Sequence, residues 1–337
     1  MLSLNDVNYG SFTIGEPLLE ELIHSKEIER LKKIDQMGVP KEYYPFINFS
    51  RYEHSIGVML LLRKLGAGIE EQAAGLLHDA SHTAFSHTMD WVLADGMKGN
   101  EDMQDLNHGK MLAKTRVPMI LERYGLEFSK ITDIKRYGLL ETEAPSLCAD
   151  RVDYALKEFY YLGKRSASKE CAGNLTVFNG SIVFSSKRAA TTFGTNYMEL
   201  QNGHWGSTEA VTQYYILARL LKTALSEHVI TLDDVKVDDQ HVINKLKTSG
   251  NGAVAEGLRL LSYKGTLPNV TSGIKETVYK KFRYVDPEYI EGGSVKKLSE
   301  NDAAYLRLIE ESRKLNKNGI TITLETSENR NKIRNKT

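Results

Sequence analysis

Five of the nine histidines, His54, His78, His82, His87 and His108, lie in one stretch, and an aspartate follows one of them directly as the doublet His78-Asp79. Further on, Asp150 stands in the run Ala149-Asp-Arg-Val-Asp-Tyr154. Neutral imidazole and ionised carboxylate are the side chains that hold a divalent ion without cysteine. His54, His78, Asp79 and Asp150 together offer two nitrogens and two carboxylates, a set that suits one divalent transition metal (Mn, Fe, Co, Ni or Zn) or Mg. A metal with open positions polarises a phosphoryl oxygen and lowers the pKa of a bound water. Hydrolysis of a phosphate ester is therefore the expected chemistry. The competing reading makes His54 and His78 core histidines, the common fate of a histidine on its own.

The remaining histidines read as proton-handling or phosphate-binding groups. His82 lies four residues past His78, and His87 five past His82. Asp90 follows His87 by three residues, so on a helix it can orient that imidazole. His108 either joins the same pocket, if the loop before it folds back, or caps a helix in solvent. Arg51 precedes His54 by three residues, Arg151 follows Asp150, and Tyr154 lies one turn on. Each arginine either forks onto phosphate oxygens or pairs with a nearby acid.

Helices must position these groups. Apolar residues from Leu18 to Ile34 recur near a 3.6-residue period, which predicts a helix over 17–36. Arg51–Leu65 reads as a helix holding His54 near its start, and Glu70–Asp79 as one ending on His78-Asp79. A short helix is expected after Ser86, a Gly/Asp/Asn-rich loop over 95–107, and a helix from His108 towards Leu121, interrupted at Pro118. Pro145 is expected to open the helix that places Asp150, Asp153, Tyr154 and Lys157 on one face. Beyond Gly163 the pattern changes. Leu175–Phe178 and Ile182–Phe184 flank Asn179-Gly180, a hairpin signal. Ser207 and Asp238 or Asp239 are predicted helix caps. Residues 265–297 read as irregular with a strand at Lys280–Val285, and 325–337 as a polar tail. The domain expectation is a core over 1–165, a mostly helical extension over 166–324, and the tail. The fold class is mainly α, with a helical core, a helical C-terminal extension and a small β-hairpin.

The composition of this 337-residue chain is 41% hydrophobic and 26% charged with zero formal net charge, which fits a soluble protein with a real core and argues against a broad grip on nucleic acid. No apolar run reaches the roughly 20 residues that a membrane span needs. The two cysteines, Cys148 and Cys171, show no metal-type spacing, and the N-terminal residues do not form a signal peptide. A cytoplasmic location is expected. Tyr214 and Tyr215 read as core or a subunit interface, and Lys275, Lys280, Lys281 and Arg283 as a solvated face.

The segments Arg51-Tyr-Glu-His54-Ser-Ile-Gly-Val, Gly75-Leu-Leu-His78-Asp79-Ala-Ser-His82-Thr-Ala-Phe-Ser-His87-Thr-Met-Asp90 and Asp150-Arg-Val-Asp-Tyr154 together resemble the HD-domain superfamily of metal-dependent phosphohydrolases. The likeness is greatest to its deoxynucleotide triphosphohydrolase branch, which the opening segment also resembles from Gly10-Ser-Phe through Glu29-Arg-Leu-Lys-Lys-Ile-Asp-Gln-Met-Gly38. The resemblance implies an all-α core with His54, His78, Asp79 and Asp150 as metal ligands. It implies that His87 with Asp90 stands near the scissile phosphate, that His82 and His108 are further active-site histidines, and that Arg51, Arg151 and Tyr154 contact phosphate. It also implies a homo-oligomer and a small phosphorylated substrate, a dNTP cleaved to deoxynucleoside and triphosphate. One departure stands out: where that branch carries a basic, aromatic helix, this chain has Asn202-Gly-His-Trp-Gly-Ser-Thr-Glu-Ala210. A nucleoside monophosphate or another small phosphoester is the alternative substrate. A mixed-valence diiron oxygenase, which would need two irons, and a non-catalytic nucleotide sensor, which would have lost a ligand, are the alternatives of another class.

Overall fold

The structure, a computed structural model, describes residues 1–44, 46, 48–93, 103–263 and 274–324, except for the side chains of 103–106, 274, 323 and 324. A hairpin of β1 (Leu2–Asp6) and β2 (Gly10–Ile14) opens the chain, followed by α1 (Pro17–Ile23) and α2 (Lys26–Arg30). Next come α3 (Arg51–Lys64), α4 (Ile69–Leu77), α5 (Thr88–Leu93), α6 (Met103–Leu112), α7 (Val117–Arg123), α8 (Phe128–Thr132), α9 (Ala149–Tyr161) and α10 (Arg165–Gly173). The second half holds β3 (Leu175–Phe178), β4 (Ser181–Phe184), α11 (Lys187–Leu200), α12 (Thr208–Ser226), α13 (Asp239–Thr248) and α14 (Gly252–Leu261). It continues with β5 (Ile274–Val278), β6 (Glu288–Glu291), β7 (Ser294–Lys297), α15 (Leu298–Asn301), α16 (Ala303–Lys317) and β8 (Ile320–Leu324). The expected mainly-α class is what the structure has. Among the described residues no helix is long and apolar enough to cross a membrane.

The central helix is α3. Ser50 caps it, its Oγ accepting from Glu53 N while the Glu53 carboxylate accepts from Ser50 N, so two orphan donors are satisfied reciprocally. Residues 54–62 are all buried, as expected of a helix enclosed on every side. It packs against α4 and α9, and these three helices deliver His54, the His78-Asp79 doublet and Asp150. The expected hairpin forms with Phe178 opposite Ser181, and the turn residues Asn179 and Gly180 both take positive φ (48° and 80°), as a type I′ turn demands. Strands β3, β4, β6 and β7 make one small sheet, and β5 pairs with β8.

Several boundaries differ from expectation. The helix expected over 17–36 breaks after α1, because Ser25 Oγ donates to Leu22 O and accepts from Ile28 N, ending one helix and capping the next. Both helices keep their buried stripe, so periodicity alone hides the break. Pro145 does not open α9. Arg151 ties the segment before the helix into a loop by donating to Ser146 O and Thr142 O, and Cys148 stands at the N-cap. His108 lies well inside α6 rather than at its start, and that helix ends at Leu112, before α7 begins at Val117. The strand expected at Lys280–Val285 is absent. Side chains take its backbone groups instead, Asn316 Nδ2 donating to Lys280 O and Gln201 Oε1 accepting from Arg283 N, and β5 and β6 lie on either side. Lys280 leaves the expected solvated face, with its ammonium 4.2 Å from the Tyr214 ring centre. Tyr214 and Tyr215 are buried in the core. The tail expected at 325–337 and most of the loop expected at 95–107 fall outside the described residues.

Candidate active site

Two imidazoles face each other where α3 and α4 meet. His54 directs Nδ1 at Asp153 Oδ2 (2.7 Å) and His78 directs Nδ1 at Gly75 O (2.7 Å). Each acceptor takes the Nδ1 proton, so the Nε2 atoms, 3.2 Å apart, are the nitrogens turned towards each other and towards Asp150. Asp150 Oδ1 lies 2.9 Å from His54 Nε2 and 3.5 Å from His78 Nε2. Ligands held about 2.1 Å from a common ion at tetrahedral or octahedral angles stand about 3.0–3.4 Å apart. The observed separations match those edges, so His54, His78 and Asp150 form a cluster that can hold a divalent metal. Asp79 borders it, with Oδ1 3.5 Å from His78 Nε2 and Oδ2 3.8 Å from His54 Nε2.

The electrostatics point the same way. Burial alone would lower the pKa of His78, but the carboxylates of Asp79 and Asp150 push it up to about 10. His54 is also raised against burial, by hydrogen bonds to Asp150 and Asp153. Burial opposes ionisation of Asp79 and Asp150, yet Arg51 and His78 hold Asp79 well below the usual range, and the two imidazoles do the same for Asp150. The ionised carboxylates of Asp79 and Asp150 raise the proton affinity of the imidazoles beside them, the same attraction that a bound cation would use. Nearby, burial and the Asp150 charge push the Glu141 carboxyl up to about 7.

The other expected residues surround this cluster in distinct ways. His82 Nε2 lies 3.2 Å from Asp79 Oδ1, and its ring stands edge-on to His87 at 5.4 Å. His87 Nδ1 meets Asp90 Oδ2 at 3.1 Å, the pairing that their spacing predicted. His108 is buried, not a solvent cap, and its Nδ1 meets Ser81 Oγ at 2.9 Å. Burial and the Arg51 charge lower His82 to about 4, and burial with His78 lowers His108 to about 4, so both rings are neutral at physiological pH. Of the two readings for Arg51, the structure takes the ion pair: fully buried, it donates to Asp79 Oδ2 at 2.5 Å, Ser86 Oγ at 2.6 Å and Gln36 O. Arg151 holds the loop before α9 and stands 3.7 Å from Glu141. Tyr154 shares a hydrogen bond with Tyr197 OH at 2.6 Å and packs its ring between His54 and Trp205.

Three contributors escaped the sequence reading. Asp153 orients His54 and is itself held by Lys157 Nζ at 2.8 Å, which also reaches Asp6 Oδ2 at 2.8 Å. Its signal was present, since Asp150, Asp153 and Lys157 share one face of α9. The other two hold the loop that carries His82 and His87. Arg30 donates to Ala80 O (3.0 Å) and His82 O (2.7 Å). From the second half of the chain, the Asp239 carboxylate accepts Phe85 N (2.8 Å) and Asp35 N (2.9 Å). That anchoring opposes backbone strain, for Phe85 and Ser86 both adopt positive φ (61° and 42°).

The HD domain family model matches residues 51–143, the span from the capped start of α3 through the doublet and the histidines around it. Over 291 residues the chain is 38% identical to the uncharacterized protein YdhJ of Bacillus subtilis, covering 85% of this chain and 88% of that one. This chain belongs to the HD-domain superfamily of metal-dependent phosphohydrolases. A second relative, the metal-dependent phosphohydrolase cns2 of Cordyceps militaris, is 28% identical over 295 residues, 85% of this chain and 84% of that one. Among solved structures, a phosphohydrolase from Bacteroides thetaiotaomicron superposes with a TM-score of 0.62 at 18% identity, covering 89% of this chain and 94% of that one, a likeness of fold. The HD-domain cofactor is a divalent metal, and the cluster of His54, His78 and Asp150 is compatible with it.

Proposed function

We propose that this protein hydrolyses a phosphate ester of a nucleotide, with His54, His78, Asp79 and Asp150 as the metal ligands. The observation that carries the reading is the convergence of two Nε2 atoms and Asp150 Oδ1 within 2.9–3.5 Å, each imidazole locked by a partner on its other nitrogen. When bound, a divalent ion supplies Lewis acidity toward a phosphoryl oxygen and a water of lowered pKa. The protein does the rest. Asp90 accepts from His87 Nδ1 and so orients the ring, which in its doubly protonated form can pass its Nε2 proton to the leaving oxygen and return to the neutral state. His82 and His108, kept neutral by burial, offer uncharged ring nitrogens to the phosphoryl group. Arg51 acts on Asp79, fixing its carboxylate rather than touching substrate. Tyr154 stands beside His54, with its ring centre 6.3 Å from the imidazole.

The motif likeness favours a dNTP cleaved to deoxynucleoside and triphosphate. A second reading, a nucleoside monophosphate, is favoured by residues 201–210. In place of a cationic grip, His204 Nδ1 and Trp205 Nε1 both turn inward onto the buried Glu158 carboxylate (2.6 and 2.8 Å). Glu209 follows in the first turn of α12 and adds an acid rather than a cation to this segment. Metal-reconstituted protein should be assayed on deoxynucleoside mono-, di- and triphosphates with chromatographic identification of products. Release of phosphate, pyrophosphate or triphosphate that disappears in His87→Ala supports hydrolysis at this site, and the product names the substrate. No turnover of any member sinks it.

A further inference from the structure

A cavity of about 300 Å³ lies between α2 and the end of α6, bordered by Ala80 and Ser81 and by none of His54, His78, Asp79 and Asp150. It reaches the lower bound of ordinary small-molecule sites. Its wall is apolar where Ala80, Met111 and Leu112 contribute, and Lys26, Arg30, Lys114 and Lys236 stand around it against the single acid Glu27. Lys236 is paired with Asp233 at 2.6 Å, and Arg30 is committed to backbone carbonyls. Lys26 and Lys114 are exposed and have no ion-pair partner among the described residues. An apolar pocket with two uncommitted ammonium groups at its edge fits an amphipathic anion.

We propose that this cavity is a second ligand site, separate from the metal centre, for a phosphate monoester carried on an apolar ring. The phosphate meets Lys26 and Lys114, and the ring lies on Ala80, Met111 and Leu112. The site communicates with the reaction centre through short connections. Ser81, which lines it, bonds His108 Nδ1, and Arg30, which lines it, holds the carbonyls of Ala80 and His82. Occupancy therefore bears on the loop that carries two of the active-site histidines. The cation pattern and the cavity stand independently of which ester the metal centre cleaves.

Calorimetric titration with two non-hydrolysable probes, a nucleoside 5′-phosphonate and benzylphosphonate, tests this. Inorganic phosphate and the bare nucleoside serve as the two half-ligands. In His78→Ala, whose metal centre is broken, at least one phosphonate is expected to bind with affinity within about threefold of wild type. It should weaken by about tenfold or more in Lys26→Glu/Lys114→Glu, and each half-ligand should bind more weakly than the whole. Binding of the nucleoside phosphonate alone assigns the ligand to nucleotides, and binding of both assigns it to aromatic phosphates in general. Since both lysines are exposed, the double variant should keep the wild-type melting temperature. Loss of binding in His78→Ala, indifference to the charge reversals, or no binding of either phosphonate overturns the proposal.

Discussion

Gly57→Ala tests how the protein orients its metal site. Gly57 lies on α3, one turn beyond His54, facing the buried pair Asp153 and Lys157. A Cβ added there would stand 2.1 Å from Lys157 Nζ, 2.2 Å from Asp153 Oδ1 and 2.8 Å from Asp153 Cγ. Lysine tails normally swing aside, but this one is tied to Asp6 and Asp153 at 2.8 Å each. The methyl group must therefore push the Asp153 carboxylate, which holds His54 Nδ1 at 2.7 Å. Overpacking of this kind costs about 1–3 kcal/mol. Losing the carboxylate that orients a metal-binding imidazole costs about 10–100-fold in metal affinity. Denaturant unfolding gives the first figure and competition with a metal-binding dye the second. Asp153→Asn, which adds no volume, should reproduce the affinity loss with less destabilisation. Wild-type metal affinity in both variants would refute the role assigned to Asp153.

Other expectations follow from the same geometry. Arg51→Met leaves Asp79 buried without its counter-charge and should destabilise the metal-free protein by about 3–5 kcal/mol, with part of that recovered on adding Zn or Mn, as read by denaturation with and without metal. Chelation should lower the melting temperature, since an ion at 100 times its Kd contributes about 2.7 kcal/mol; an unchanged melting curve would count against tight binding. Burial pushes Asp239 up to about 7 despite the hydrogen bonds from Asp35 N and Phe85 N. The folded state therefore keeps this proton after the unfolded chain has lost it, so stability should decline as pH rises from about 4 to about 7, by at most about 4 kcal/mol. Asp239→Asn should flatten that slope, and an identical slope in the variant would show that the proton resides elsewhere.

The candidate metal cluster was legible because its residues are few and their spacing places them at helix ends and on helix faces. His54, three residues into a capped helix, and the doublet at the end of α4 are local facts. Asp153 was visible only as a neighbour of Asp150 on α9, since its partner His54 lies 99 residues away in the chain. Arg51 kept two readings open because only the fold shows that Asp79 reaches it. The contribution of the second half was illegible for the same reason: nothing near Asp239 in the sequence announces a carboxylate that anchors Phe85. Helix ends failed where a side chain intervenes, as at Ser25, or where a loop is tied by a residue that follows it, as Arg151 ties the segment after Pro145.

The central claim is one divalent ion bound by His54, His78, Asp79 and Asp150. Elemental analysis of metal per chain, on wild type, His78→Ala and Asp150→Ala reconstituted side by side, tests it most directly. One ion per chain in the wild type and none retained after desalting in either variant is the result the geometry predicts. Two irons per wild-type chain, or an ion that survives both substitutions, would contradict it.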